Sequence, residues 1–269
     1  MCPLLVLKVY TLFQTGYSTD FFQNFRQLWA LTLMNSKDLP NSVDTLIHLK
    51  YLHLNDYSSE LPETIGNMCN LQILKVTWFD MYDIVILPSG LVKLINLTHL
   101  ILLGACLAFL EGFGRLVSLR RLEKFMINDL YGCNLGELNA LNNLQGSFKI
   151  YELGNVVDVS EAKIAQLKKK TQLQDLSFSF EKGRARLSRH GLFWDGFKPS
   201  DGGRGSEELI FNALEPHLDL RSLHIRYYED LSLSPNWLMS LTKLKTLSLY
   251  AAINLMSLPP LGSYRCLKH

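Results

Sequence analysis

The residues of this chain with chemical potential are its histidines, its cysteines and one glycine-rich turn, and their spacing decides whether any act together. His53, His99 and His224 fall on positions whose apolar neighbours point the other way along short strands. A metal needs such side chains to converge, yet His53 and His99 lie two strands apart, roughly 10 Å at ~4.8 Å per strand. They read as surface histidines. Cys2, Cys69, Cys106, Cys133 and Cys266 are odd in number and contain no Cys-x-x-Cys pair, which speaks against a disulfide framework and a structural zinc site. Gly202-Gly203-Arg204-Gly205-Ser206 resembles a phosphate cradle only in composition, because no strand leads into it. No Ser-His-Asp or Cys-His arrangement satisfies a spacing rule. The expectation is a chain without catalysis, metal or cofactor.

The elements that would position these residues are set by leucine, which supplies 54 of the 269 residues. Leu-x-x-Leu-x-Leu frames, or close variants, open at Leu7, Leu28, Leu49, Leu71, Leu97, Leu119, Leu144, Leu173, Leu220 and Leu244, and Leu267 opens one that is cut short. Successive anchors are 21, 21, 22, 26, 22, 25, 29, 47, 24 and 23 residues apart. That period is the signature of leucine-rich repeats. Within a frame, alternate side chains point opposite ways, so the leucines go inward and the intervening residues outward. One such strand cannot bury its apolar face alone, whereas stacked frames share a continuous core. The expected fold is an α/β solenoid: a leucine-rich-repeat horseshoe with a parallel β-sheet on its concave face and irregular or short helical returns. Leu39-Pro40, Leu61-Pro62 and Leu87-Pro88 open those returns, where proline fixes the turn and has no ladder bond to lose.

Two stretches break the rhythm. Residues 126–172 are irregular and hold a helix expected from Asp158 to Lys170, whose Lys168-Lys169-Lys170 run suits the negative end of a helix dipole. Residues 181–205, rich in Gly, Arg and Ser, read as an exposed loop, followed by a helix that starts at Ser206-Glu207-Glu208-Leu209 and ends before Pro216. All of this belongs to one array spanning 1–269, with about ten full frames and the truncated one.

With 27 basic and 25 acidic residues the chain lacks the charge excess of a nucleic-acid binder, and 48% hydrophobic content rules out disorder. The longest apolar stretch, Leu100 to Leu110, is 11 residues, too short to span a bilayer. The N-terminus has no basic n-region. The sequon Asn96-Leu97-Thr98 has a repeat anchor as its middle residue and reads as incidental. These features point to a reduced, cytoplasmic or nucleo-cytoplasmic protein.

What remains for function is the concave face. Its outward positions include Tyr51, His53, Ile73, Lys75, His99, Ile101, Arg121, Glu123, Ser222, His224, Thr246, Ser248 and Tyr250. Tyr and Arg are enriched in binding hot spots, and ten stacked strands offer enough area for a protein partner.

The frames from Asp38-Leu39-Pro40-Asn41-Ser42-Val43 to Leu54 and from Glu60-Leu61-Pro62-Glu63-Thr64-Ile65-Gly66 to Val76 resemble repeats of plant nucleotide-binding leucine-rich-repeat disease-resistance proteins. Leu135-Gly136-Glu137-Leu138 to Gly146, and Gly154 to Ala162, are similar to the irregular middle repeats of the coiled-coil subclass. Ala213-Leu214-Glu215-Pro216-His217, Pro235-Asn236-Trp237-Leu238 and Leu258-Pro259-Pro260-Leu261-Gly262 resemble its C-terminal repeats. The resemblance implies a recognition and autoinhibitory module of an innate immune receptor. Its partners would be a pathogen effector or a guarded host protein, and intramolecularly the nucleotide-binding domain. That domain is absent here, since no Gly-Lys dipeptide and hence no phosphate loop occurs. The loop after Phe180, usually acidic in relatives, carries Lys182, Arg184, Arg186 and Arg189. Because the frames begin and stop without caps, the chain is expected to be a fragment of a larger protein; the alternative is a free-standing adaptor or decoy.

Overall fold

The computed structural model describes residues 9–13, 22, 26–78, 84–127, 132–181 and 206–257. The start of the first frame, the basic loop with its Gly202–Gly205 run, and the final Leu258–Gly262 and Leu267 motifs lie outside the described residues. The described chain divides into two compact units: one runs to Leu110 and includes Ser118–Arg121, and the other comprises Glu111–Val117 and the chain from Leu122 onward.

In the first unit the strands are β1 (Val9–Phe13), β2 (Ala30–Met34), β3 (Tyr51–Tyr57), β4 (Ile73–Trp78), β5 (Ile84–Ile86), β6 (His99–Leu103) and β7 (Cys106–Ala108). The main sheet has the order β1-β2-β3-β4-β6 and is closed by β8 (Arg121–Leu122), while β5 and β7 form a separate parallel pair. Parallel register stacks Leu31, Leu52, Leu74 and Leu100 in one row and Leu33, Leu54, Val76 and Leu102 in the next. All are buried, as the frame requires.

The second unit holds β9 (Lys124–Met126), β10 (Gln145–Tyr151), β11 (Gln172–Ser179), β12 (Ser222–Arg226) and β13 (Thr246–Tyr250) in one parallel sheet. Its inward rows carry Phe148, Leu176, Leu223 and Leu247, then Phe125, Ile150, Phe178, Ile225 and Leu249. The short helix α1 (Val159–Ile164) and the helix α2 (Ser206–Ala213) lie on its return side. α2 inserts Phe211 among Phe178, Phe180, Tyr228 and Trp237, with ring centroids 5.0–6.1 Å apart. Edge-on and tilted packing of this kind adds about 1 kcal/mol per pair beyond area burial.

The returns are 3-10 turns with a repeating construction. Pro40, Pro62 and Pro88 are extended and precede turns at Asn41–Thr45, Glu63–Asn67 and Ser89–Lys93. Each turn then closes on an inward residue, Leu46, Met68 or Leu94. Asparagines tie successive turns: Asn70 Nδ2 donates to the Ile47 carbonyl at 2.7 Å, Asn96 to that of Cys69 at 2.9 Å, and Asn143 to that of Val117 at 2.9 Å. The Asn96 amide of the sequon is therefore part of the repeat lattice.

Two sequence expectations change. The helix expected from Asp158 to Lys170 stops at Ile164. Asp158 does cap it, accepting from the Ser160 N–H at 2.8 Å, but Gln166 takes the left-handed conformation (φ 49°) and starts a separate 3-10 turn at Leu167–Lys169. The lysine run is thus not the end of that helix. Lys168 pairs with Glu215 at 3.0 Å, and Lys170 is buried, its Nζ donating to the Leu138 carbonyl at 2.7 Å and Asn142 Oδ1 at 3.3 Å. In the Leu119 frame, Glu123 is not an alternating strand position but a bend between β8 and β9. The next inward residue is Phe125, three after Leu122, so Lys124 takes the outward place.

Candidate protein-binding face

Each sheet leaves one face uncovered by its own returns, and parallel register fixes which side chains meet there. On the first sheet Tyr51, Ile73 and His99 form one row. Arg121 extends it through the same pair of bonds to the preceding strand, its N–H and that of Arg120 both donating to the Thr98 carbonyl. The next row is Thr32, His53, Lys75 and Ile101. His53 meets Tyr51 edge-on, with centroids 6.4 Å apart. Its Nε2 is enclosed without a hydrogen-bond partner among the described residues.

Both histidines are held below the ordinary imidazole range, first by partial burial and then by neighbouring cations: Lys75 for His53, Arg121 and Arg120 for His99. They are therefore neutral at pH 7. Along one margin Lys50 lies over the Trp29 ring, with Nζ 4.4 Å from its centroid.

On the second sheet Ser222 and Thr246 continue a row begun by Ser147 and Asp175. His224 and Ser248 continue the row Lys124, Lys149 and Ser177, and His224 Nδ1 is hydrogen-bonded to Ser248 Oγ. Met126 pairs with Tyr151 on β9 and β10, and Tyr250 ends a third row behind Ser179 and Arg226. Tyr250 is 58% exposed, and its ring lies 5.3 Å from the Arg226 guanidinium and meets Tyr227 edge-on at 5.8 Å.

Sequence reasoning passed over Lys124, Lys149, Tyr151, Asp175, Ser177 and Arg226, which register places on this face. The Leu173-x-x-Leu176-x-Phe178 frame already marked Asp175 and Ser177 as outward, and the Phe148-x-Ile150 step marked Lys149. Lys124 carried no such signal, because the bend at Glu123 shifts its phase.

The chemistry of these faces is that of contact. Among the described residues no group of three His, Cys, Asp or Glu side chains could hold a metal, and no helix is long and apolar enough to cross a membrane. Rings, guanidinium and ammonium groups above a rigid sheet offer stacking and charge-assisted hydrogen bonds to a partner.

Comparison with known proteins agrees with the architecture. A family model described as R13L1/DRL21 leucine-rich repeats matches residues 135–269. RGA1 of Solanum bulbocastanum, named for disease resistance, is 32% identical over 259 residues, 94% of this chain and 24% of the relative. An Arabidopsis thaliana protein, likewise named for disease resistance, is 34% identical over 249 residues, 90% of this chain and 17% of its own length. The chain thus spans about a fifth of these curated relatives. Among solved structures, the HAESA receptor-kinase ectodomain of Arabidopsis, in complex with an IDA peptide hormone ligand, superposes with a TM-score of 0.52 at 17% identity. The match covers 91% of this chain and 37% of that one, and at such identity it establishes the repeat fold.

Proposed function

The chain belongs to the R13L1/DRL21 family of leucine-rich repeats, and from that premise we propose that it is the recognition module of a plant disease-resistance receptor. Its uncovered sheet faces bind a pathogen effector or a guarded host protein, and its repeats hold the receptor's nucleotide-binding domain in the off state. The observation that carries this reading is the second sheet's face. There Arg226 and Tyr250 are paired on the adjacent strands β12 and β13, with the Arg226 guanidinium over the Tyr250 ring. Exposed aromatic and guanidinium groups on a rigid scaffold are the usual anchors of a protein interface.

A partner can switch such a receptor only through differential affinity. Moving an equilibrium from mostly closed to mostly open takes about 5 kcal/mol in favour of the open state. We place the module in the cytoplasm, a reading supported by Cys133, a buried free thiol that burial pushes up to about 12.

The test is a graft. The matching repeats of RGA1 are deleted and replaced by this chain, and leaf cell death is scored without any effector. Deletion is expected to release cell death and the graft to silence it. A graft that leaves cell death at the deleted level removes the autoinhibitory role. The recognition role is read separately, as loss of partner-triggered cell death in the graft carrying Arg226→Ala and Tyr250→Ala.

A further inference from the structure

Charge in the first unit is sorted by position. Trp29, Lys50, Gln72, Thr98 and Arg120 form a margin row, in which each backbone N–H after the first donates to the carbonyl of the residue before it. Beside it run the row from Tyr51 to Arg121 and the row of His53, Lys75 and Ile101. None of these positions carries a carboxylate.

The described carboxylates of that unit, Asp38, Asp44, Asp56, Glu60 and Glu63, sit in returns or at a strand's end. Four of them serve local ties. Asp38 accepts from Ser59 Oγ at 2.6 Å, Asp44 from Asn67 at 3.4 Å and Asp56 from Asn55 at 3.1 Å, while Glu63 holds the Ser89 and Gly90 N–H groups at 2.9 and 2.7 Å. Lys75 and Arg120 have no ion-pair partner among the described residues. The described part of the first unit has thus placed its anions in the returns and at a strand's end and left cations on the open sheet.

We infer that the face made by Lys50, Lys75, Arg120 and Arg121 docks an acidic polypeptide segment whose carboxylates alternate with apolar or aromatic residues. The apolar half of that description comes from Ile73 and Ile101, which lie among the cations at sheet spacing. A polypeptide can cover them while its carboxylates reach the neighbouring cations. A nucleic-acid strand would leave them wet, and of the rings beside them Tyr51 meets His53 edge-on and Trp29 lies under the Lys50 ammonium, where single-strand binders use several open ring faces. The inference rests on the recognition reading above and names the chemistry of the partner.

The experiment uses the whole 269-residue chain and a dye-labelled random copolymer of glutamate and tyrosine, with binding followed by anisotropy at physiological ionic strength. Lys75→Glu with Arg120→Glu is expected to weaken binding about tenfold, because two contacting charges are reversed rather than merely lost. Lys37→Glu with Lys163→Glu changes net charge equally at exposed places off this face and is expected to stay within about twofold, since distant surface charges are screened. Thermal melts check folding, and Lys75→Gln with Arg120→Gln replaces the reversed pair if that pair melts early.

Equal losses in the two charge-reversed pairs would mean attraction by net charge alone and would overturn the inference. So would tighter binding of oligothymidine than of the copolymer at the same salt. Absence of copolymer binding alongside a graft that silences cell death removes only the acidic-partner inference. Face-dependent copolymer binding with a graft that fails to silence removes only the receptor reading.

Discussion

Lys170 occupies a place that most repeats of the array give to a large apolar residue. Three residues before six other anchors, the chain turns inward at Leu46, Met68, Leu94, Leu116, Leu141 and Leu241, all buried. Lys170 stands three before Leu173 and is 0% exposed. Aligning returns on their anchors makes this legible, whereas a run of three lysines suggests a solvated helix end. Burial, reinforced by Lys169, lowers its ammonium from 10.5 to about 8. Between those values the folded chain has released a proton that the unfolded chain still holds, so stability must rise with pH across that window. The gain is bounded at about 3 kcal/mol. Urea unfolding from pH 8 to 10.5 should show this rise in the native chain and lose it in Lys170→Met; parallel curves would refute it. A second residue-scale expectation concerns thiols. Cys69 is exposed and Cys133 is buried with its thiol pushed up to about 12, so iodoacetamide should label Cys69 in the native state and Cys133 only after denaturation, as read by peptide mass spectrometry.

At the scale of elements, the returns approach so closely that some positions admit only glycine. A Cβ on Gly90 would lie 2.2 Å from the Glu63 carbonyl oxygen, a backbone atom that cannot swing aside. Gly146 differs: it has φ +73° at the irregular step between β10 and β11, with nothing within 4 Å of a Cβ. Gly90→Ala should therefore cost about 3 kcal/mol through overpacking and Gly146→Ala about 1 kcal/mol through backbone strain alone. Denaturant midpoints measure the pair, and equal costs would contradict the stacking geometry. Glu63 reaches forward to the next turn, while Glu137 reaches back, accepting from Gly112 and Gly114 at 2.8 and 2.6 Å. The Leu-Pro signature announced these turns in the sequence. The early end of α1 was not announced, because glutamine at 166 gives no hint of a left-handed residue.

Across the whole molecule, each repeat meets chiefly its neighbours, so stability should behave as a chain of nearest-neighbour terms. Leu74→Ala in the first unit or Leu223→Ala in the second, both from fully buried positions, should cost about 2–5 kcal/mol. Hydrogen exchange should then accelerate in the strands flanking each substitution and leave the other unit unchanged. Uniform acceleration would mean one cooperative block. The leucine period made the solenoid readable throughout the array, since burial of every frame depends on the same alternation. The division into two sheets was hidden, because the bend at Glu123 carries no Gly or Pro to mark it. The asparagine ties suggest how such an array changes over generations. Asn70, Asn96 and Asn143 grip the preceding turn just before their strands begin, although the anchors that follow them are unevenly spaced. A return can therefore lengthen, or a whole unit be duplicated by unequal crossing-over, and the strands downstream still enter in register. Inheritance can rewrite the face and the loops on separate schedules.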